Sequence, residues 1–286
     1  MVFMNTDVAW LDTDDGRLAY HDVGTGDPVI LLHGGLLDHR MWDEQIPVLE
    51  SRYRVVAPDA RGHGASANAS RSFRHADDLA ALLFHLGSGP AVVVGLSMGA
   101  GIAVDTALEY PHVVRALVVS GAGTSEPEFT DPWTLKVLSD MASSIAAGDA
   151  GSLIATFALF AAGPRRTLGD LDPDVVRRIR EMARRTLTKH TAGEPDWLVP
   201  VHETWTRAAT INVPVLAING DLDAADHIAM AERLARTVAD GNVTTIEGTA
   251  HYPNMERPGA FNQALTGFLG TLPPAGPRTV GSGTTG

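Results

Sequence analysis

Residues 91–105, Ala-Val-Val-Val-Gly-Leu-Ser-Met-Gly-Ala-Gly-Ile-Ala-Val-Asp, decide the fold. Val92, Val93 and Val94 are β-branched and apolar at every position, the pattern of a parallel strand buried on both faces. Gly95-Leu96-Ser97-Met98-Gly99 ends the run, and small residues at helical spacing follow. A strand that feeds a helix through this pentapeptide must turn sharply. The turn strains the backbone of Ser97 and projects its hydroxyl, and the flanking glycines keep side chains off the neighbouring strand and helix. Ser97 also stands at a helix N-terminus, where free N–H groups favour developing negative charge.

The glycines Gly95, Gly99 and Gly101 also match the dinucleotide turn of short-chain dehydrogenases. That turn follows the first strand of a chain and is accompanied by a Tyr-x-x-x-Lys pair. The only lysines here are Lys136 and Lys189, and Pro132 and Arg185 occupy the positions four before them. The dinucleotide reading fails on both counts.

Working outward, short apolar runs alternate with helical stretches. Asp14-Asp15-Gly16 joins two strands as a hairpin within residues 8–23. Strands are expected at Pro28–Leu32, Tyr53–Ala57, Ala116–Ser120, Val213–Ile218 and Asn242–Ile246. Helices are expected over residues 40–50, 75–86, 227–239 and 259–269. This alternation predicts an α/β fold, a mostly parallel twisted sheet with helices on both faces. Ligands of such sheets sit beyond the carboxyl ends of the strands, where His33-Gly34-Gly35, Ser97 and Gly121 fall. From residue 123 to 212 the pattern pauses, with helical stretches at 135–147 and 174–188 and no clear strand. That length is too great for a loop. The expected organisation is a core of residues 1–122 and 213–272, a helical cap of 123–212, and a disordered tail of 273–286 rich in Pro, Gly, Ser and Thr.

The totals narrow the function. Of 286 residues, 44% are hydrophobic and 20% charged, as in ordinary globular proteins. A net charge of -12 disfavours nucleic acid and anionic membranes as partners. The absence of cysteine excludes disulfides and thiolate chemistry. No signal peptide or membrane span is visible, and a cytoplasmic protein is expected.

A serine hydroxyl needs a base to take its proton. His251, in Gly248-Thr249-Ala250-His251-Tyr252-Pro253, follows the last strand and is the candidate. His33 and His63 also lie at strand ends and read as structural. The base needs an acid to fix its tautomer. Asp221, Asp223 and Asp226 all follow the Val213–Ile218 strand, and spacing does not choose among them. An oxyanion needs two N–H donors. Met98, after the nucleophile, supplies one, and Gly35 or Leu36 the other. His and Asp are scattered without ligand spacing, so neither metal nor cofactor is expected.

Leu32-His33-Gly34-Gly35, Asp59-Ala60-Arg61-Gly62-His63-Gly64, Gly95-Leu96-Ser97-Met98-Gly99, Gly220-Asp221-Leu222-Asp223 and Gly248-Thr249-Ala250-His251 stand in one order. In this order and spacing, over almost the whole chain, they resemble the α/β-hydrolase superfamily, in its serine-nucleophile branch. The elbow and Met41-Trp42 are similar to those of 3-oxoadipate enol-lactonase-like esterases. The resemblance implies Asp223 as the triad acid and Gly35 as the second oxyanion donor. Two departures stand out: Ala224-Ala225 replaces a proline often found after the acid, and Gly-Thr-Ala-His replaces Gly-x-Gly-His.

Serine at position 97 argues against the dehalogenases and epoxide hydrolases of the superfamily, which use aspartate there. The expected activity is hydrolysis of a small or medium hydrophobic ester or lactone through an acyl-enzyme. C–C hydrolases, hydroxynitrile lyases and cyclases share the fold and form the alternative, with a ligand-binding receptor third. Leu36 and the large cap residues Trp133, Phe157, Trp197 and Trp205 are candidates for substrate contact, beside Met141 and Phe160. The arginines between Arg177 and Arg185 read as a solvated helix face. Natural substrate and oligomeric state stay open.

Overall fold

Alternate residues of the central strands divide between two cores. A computed structural model describes residues 8–191 and 193–274 of the chain. Its strands are β1 (Ala9–Thr13), β2 (Gly16–Val23), β3 (Asp27–Leu32), β4 (Tyr53–Pro58), β5 (Ala91–Leu96), β6 (Val114–Ser120), β7 (Val215–Gly220) and β8 (Gly241–Ile246). Its helices are α1 (Ile46–Leu49), α2 (His75–Leu86), α3 (Met98–Glu109), α4 (Pro132–Ala146), α5 (Ala150–Ala162), α6 (Pro173–Leu187), α7 (Thr204–Arg207), α8 (Ala225–Thr237), α9 (Pro253–Glu256) and α10 (Pro258–Thr271).

The strands form one sheet in the order β1-β2-β4-β3-β5-β6-β7-β8. The β1–β2 hairpin and the β2–β4 pair are antiparallel, and the remaining pairs are parallel. Ile30, Leu32, Val56, Val93, Leu117 and Val119 face one core with residues of α2, α3 and α8. Val29, Leu31, Val55, Val92, Val94 and Val118 face the other, with Trp42, Phe261 and Leu265. Strands buried on both sides read as unbroken apolar runs for this reason. The strand and helix expectations hold with shifts of a few residues, except over 40–50. There a 3-10 turn (His39–Trp42) precedes α1, because Pro47 lacks an N–H and its ring bars a continuous helix.

Between β6 and β7 the chain carries α4 to α7 and, among the described residues, no named strand. Leu198 in this segment forms an isolated bridge with Phe73, which precedes α2. Phe157, Phe160, Ile179 and Met182 of α5 and α6 join the core that holds Trp42 and Phe261. The expected tail lies outside the described residues from position 275 on.

The β5–α3 junction depends on two glycines. A Cβ on Gly95 would collide with the Gly99 carbonyl, and one on Gly99 with the Leu32 carbonyl of β3. Backbone atoms cannot yield as a flexible side chain can. Gly99→Ala is therefore expected to lower stability by about 1–3 kcal/mol, read from urea unfolding. An unchanged midpoint would show that this junction is not closely packed.

Candidate active site

Ser97, between β5 and α3, has φ 55° and ψ −115°, a region that costs a non-glycine residue roughly 1–3 kcal/mol. Its backbone is pinned on both sides. Its N–H donates to the Ser120 carbonyl at 2.8 Å, and its carbonyl accepts from Ala100 and Gly101 N–H. The conformation turns the chain from β5 into α3 within one residue.

The next residue after Ser120, Gly121, carries His251 to the same place. A Cβ on Gly121 would stand 2.6 Å from His251 Cε1, so the imidazole lies directly on the end of β6, beside the turn at Ser97. The loop that carries His251 is tied down at several points. Gly248 N–H donates to Asp221 Oδ1 at 2.6 Å, and Ala250 N–H to Glu256 Oε1 at 2.7 Å. Leu222 N–H donates to the Thr249 carbonyl at 2.9 Å. Arg166, just beyond α5, binds Glu256 at 2.7 Å and the Gly248 carbonyl at 3.0 Å.

The three aspartates that spacing left open have three different partners. Asp223 is buried, and its Oδ2 lies 2.8 Å from His251 Nδ1. Asp221 holds Gly248. Asp226 accepts from Thr130 and Asp131 and so fixes the chain before α4. Sequence reading missed a further residue, His227. Its Nδ1 lies 3.0 Å from Asp223 Oδ1, and its ring centroid is 4.4 Å from that of His251. The four-residue spacing from Asp223 was the available signal. Ala224 N–H also donates to Asp223 Oδ1, at 2.7 Å.

Burial alone would raise the Asp223 carboxyl, but His251 and His227 hold it below the ordinary carboxylate range. Burial pushes the His251 imidazole down against the opposing pull of Asp223, and His227 pushes it down further. His251 is therefore neutral at neutral pH, with Nδ1–H donated to Asp223 and Nε2 free to accept a proton.

At the β3 end, Leu37 N–H donates to the Gly34 carbonyl at 3.2 Å, closing a turn in which Leu36 has φ 58°. A Cβ on Gly35 would be 4.0 Å from Met98 Cβ, and one on Gly34 3.7 Å from Ser97 Cβ. Among the described residues, the N–H groups of Gly35, Leu36 and Met98 donate no hydrogen bond. His33 bridges the Gly34 carbonyl and Ala60 N–H, and His63 contacts the Arg61 carbonyl. Both are accounted for as supports of these loops. Two groups bring metal-binding atoms within 4.8 Å of one another: Asp223, His227 and His251, and Asp38, His39 and Asp59. Each group joins a close pair, Asp223 and His227 or Asp38 and His39, to a third member at least twenty positions away, His251 or Asp59, which sequence spacing did not announce.

A cavity of about 250 Å³ opens beside Ser97, lined by Met98, Ile102, Phe129, Val201, His227 and Met230 among others. Leu36, Trp133, Phe157, Trp197 and Trp205 are not among its lining residues, which corrects that expectation for this cavity. Trp205 is held otherwise, its indole N–H on the Glu126 carbonyl and its ring under Arg233. Trp133 and Phe157 pack on Phe160, which in turn lies 5.5 Å from the His251 ring. Leu36 packs against the core with Trp42, and the Trp197 carbonyl accepts from Phe73 N–H. Choosing residues by aromatic size overlooked Met230 and the Leu198–Val201 segment.

A family described as alpha/beta hydrolase fold matches residues 27–258. The pimeloyl-[acyl-carrier protein] methyl ester esterase of Aromatoleum aromaticum is 30% identical over 237 residues, 80% of this chain and 93% of its own. A thermophilic esterase structure from Thermogutta terrifontis has a TM-score of 0.73 at 27% identity, over 92% of this chain and 98% of that one. The enol-lactonase structure from Burkholderia xenovorans LB400 has a TM-score of 0.72 at 21% identity, over 92% of this chain and all (100%) of that one, and shows the fold alone.

In nitrogen-labelled histidine NMR, the His251 ring is expected to titrate below 6.5. Because Asp223 favours the imidazolium, Asp223→Asn should lower that midpoint further. A midpoint that rises in the variant would contradict the pairing.

Proposed function

The chain belongs to the α/β-hydrolase fold family and is an enzyme of that family, and from this premise we propose that it is a serine hydrolase of small or medium hydrophobic esters or lactones. The observation that carries the reading is the His251–Asp223 pair seated beside the strained turn at Ser97. In this reading Ser97 Oγ attacks the carbonyl carbon while His251 Nε2 takes its proton. Asp223 holds the His251 tautomer and stabilises the imidazolium as it forms. The unpaired N–H groups of Gly35 and Met98 receive the oxyanion. His251 returns the proton to the leaving oxygen, and an acyl-enzyme remains. Water, deprotonated by His251, then attacks the acyl carbon, and His251 gives that proton to Ser97 Oγ as its bond to the acyl carbon breaks, freeing the acid and the serine.

The largely apolar cavity beside Ser97 supports a hydrophobic substrate of modest size. Residues 123–212 act in this reading as a lid over the strand ends, with Arg166 as its tether to the His251 loop. The larger groove in this segment, about 500 Å³ along α6, is lined by Arg177, Arg180 and Arg184 and lies apart from Ser97. A net charge of -12 supports a small-molecule substrate over nucleic acid.

With a panel of p-nitrophenyl esters and lactones, Ser97→Ala should reduce turnover by about 10⁴-fold or more while the protein stays folded. Retained activity would remove the serine from the mechanism. Asp223→Asn should cost about 10⁴-fold in kcat, and Asp221→Asn far less, since Asp221 contacts no histidine. Equal losses would reassign the acid. The acid limb of kcat/KM should have its midpoint below 6.5, because the base works only when His251 is unprotonated. A plateau extending down to the ordinary carboxylate range would point to another base.

A further inference from the structure

Asp105 lines the same cavity as Ser97. It lies eight positions further along the chain, which at the rise of an α-helix is roughly 12 Å along α3. Its side chain is buried, at 8% exposure. Oδ1 accepts the Ser125 hydroxyl at 2.6 Å, an approach that Gly101 permits, since a Cβ there would stand 3.2 Å from Ser125 Cα. Among the described residues Oδ2 has no hydrogen-bond partner.

Among the described residues no cation pairs directly with Asp105, and Arg207, which favours its ionised form from a distance, is engaged elsewhere. Glu109 is occupied by Arg74 and Arg207, and Arg74 is further bound to Asp77. Glu126 accepts Glu203 N–H, Thr204 N–H and the Thr204 hydroxyl. Burial pushes the nearby His75 imidazole down to about 4, so it is neutral. Burial likewise pushes the Asp105 carboxyl up to about 7, opposed by the Ser125 hydroxyl and by Arg207 and reinforced by Glu109 and Glu126. Met98, Ile102, Phe129, Val201 and Met230 give the cavity a mainly apolar wall, and Arg74, already bound to Asp77 and Glu109, lines it with His75 and His227. A carboxyl in such a site costs the fold free energy once ionised, unless a cation arrives to meet it.

We propose that this cavity receives a substrate with an apolar body and a protonated amine at its far end, and that Asp105 is the counter-ion for that amine. The proposal rests on Ser97 marking the reacting end, but the ion site can be tested without turnover.

Binding of n-hexylamine and n-hexanol to the full chain is measured by calorimetry, at a pH of about 8, where the alkylamine is protonated. The amine is expected to bind about tenfold tighter or more than the alcohol. The ratio should fall to about one in Asp105→Asn and persist in Ser97→Ala and in Ser125→Ala, which keeps the carboxylate. Asp105→Leu is the reserve variant should Asp105→Asn not fold. Near neutral pH, amine binding should release a proton, seen as heats that vary with buffer ionisation enthalpy, and Asp105→Asn should abolish the release. A ratio near one in the wild type, or one unchanged by Asp105→Asn, overturns the proposal. Loss of esterase activity with the ratio intact would refute the serine-hydrolase reading and leave the ion site standing.

Discussion

A carboxylate withdrawn from water has to be met by donors on every side, and the site is built around how Asp223 is met. His251, His227 and Ala224 N–H surround it. An unpaired charge in that position would be expensive. Burial and the neighbouring His227 keep the His251 imidazole below its ordinary value against the pull of Asp223, the condition in which it can accept a proton. Asp221, Glu256 and Arg166 never touch the imidazole, yet together they fix the loop from which it projects.

The same backbone economy governs the turn at Ser97. Gly95 and Gly99 let β5, α3 and β3 approach more closely than any side chain would allow. The strained Ser97 conformation is held by hydrogen bonds to Ser120, Ala100 and Gly101. Two cores, one on each face of the sheet, supply the burial that keeps this strain in place. The fold thus delivers to one rim a serine from β5, an imidazole from the β8 loop and an acid from the β7 loop.

How far this was legible in the sequence differs by feature. Apolar runs such as Val92–Val94 announced buried strands because both of their faces are covered. The strand-end positions of Ser97 and His251 were legible because their motifs impose local backbone demands. The choice among Asp221, Asp223 and Asp226 was not open to spacing, because all three leave the same strand and only the fold assigns Gly248, His251 and Thr130 to them. His227 was missed because helical spacing from Asp223 says nothing until Asp223 is known to face the site. The pocket was misjudged through Trp205 and Trp133, whose rings are large but committed to Arg233 and Phe160. Pro47 broke an expected helix by removing a single N–H.

The central claim is geometric: a hydroxyl, an imidazole and two backbone N–H groups converge on one reacting carbon. A crystal structure of the enzyme inhibited by a phosphonate ester tests it most directly. The account predicts a covalent adduct on Ser97 Oγ, with the phosphonyl oxygen between Gly35 and Met98 N–H and His251 Nε2 turned toward the adduct. An adduct elsewhere, or one on Ser97 with its oxygen away from both N–H groups and the imidazole turned aside, would contradict it.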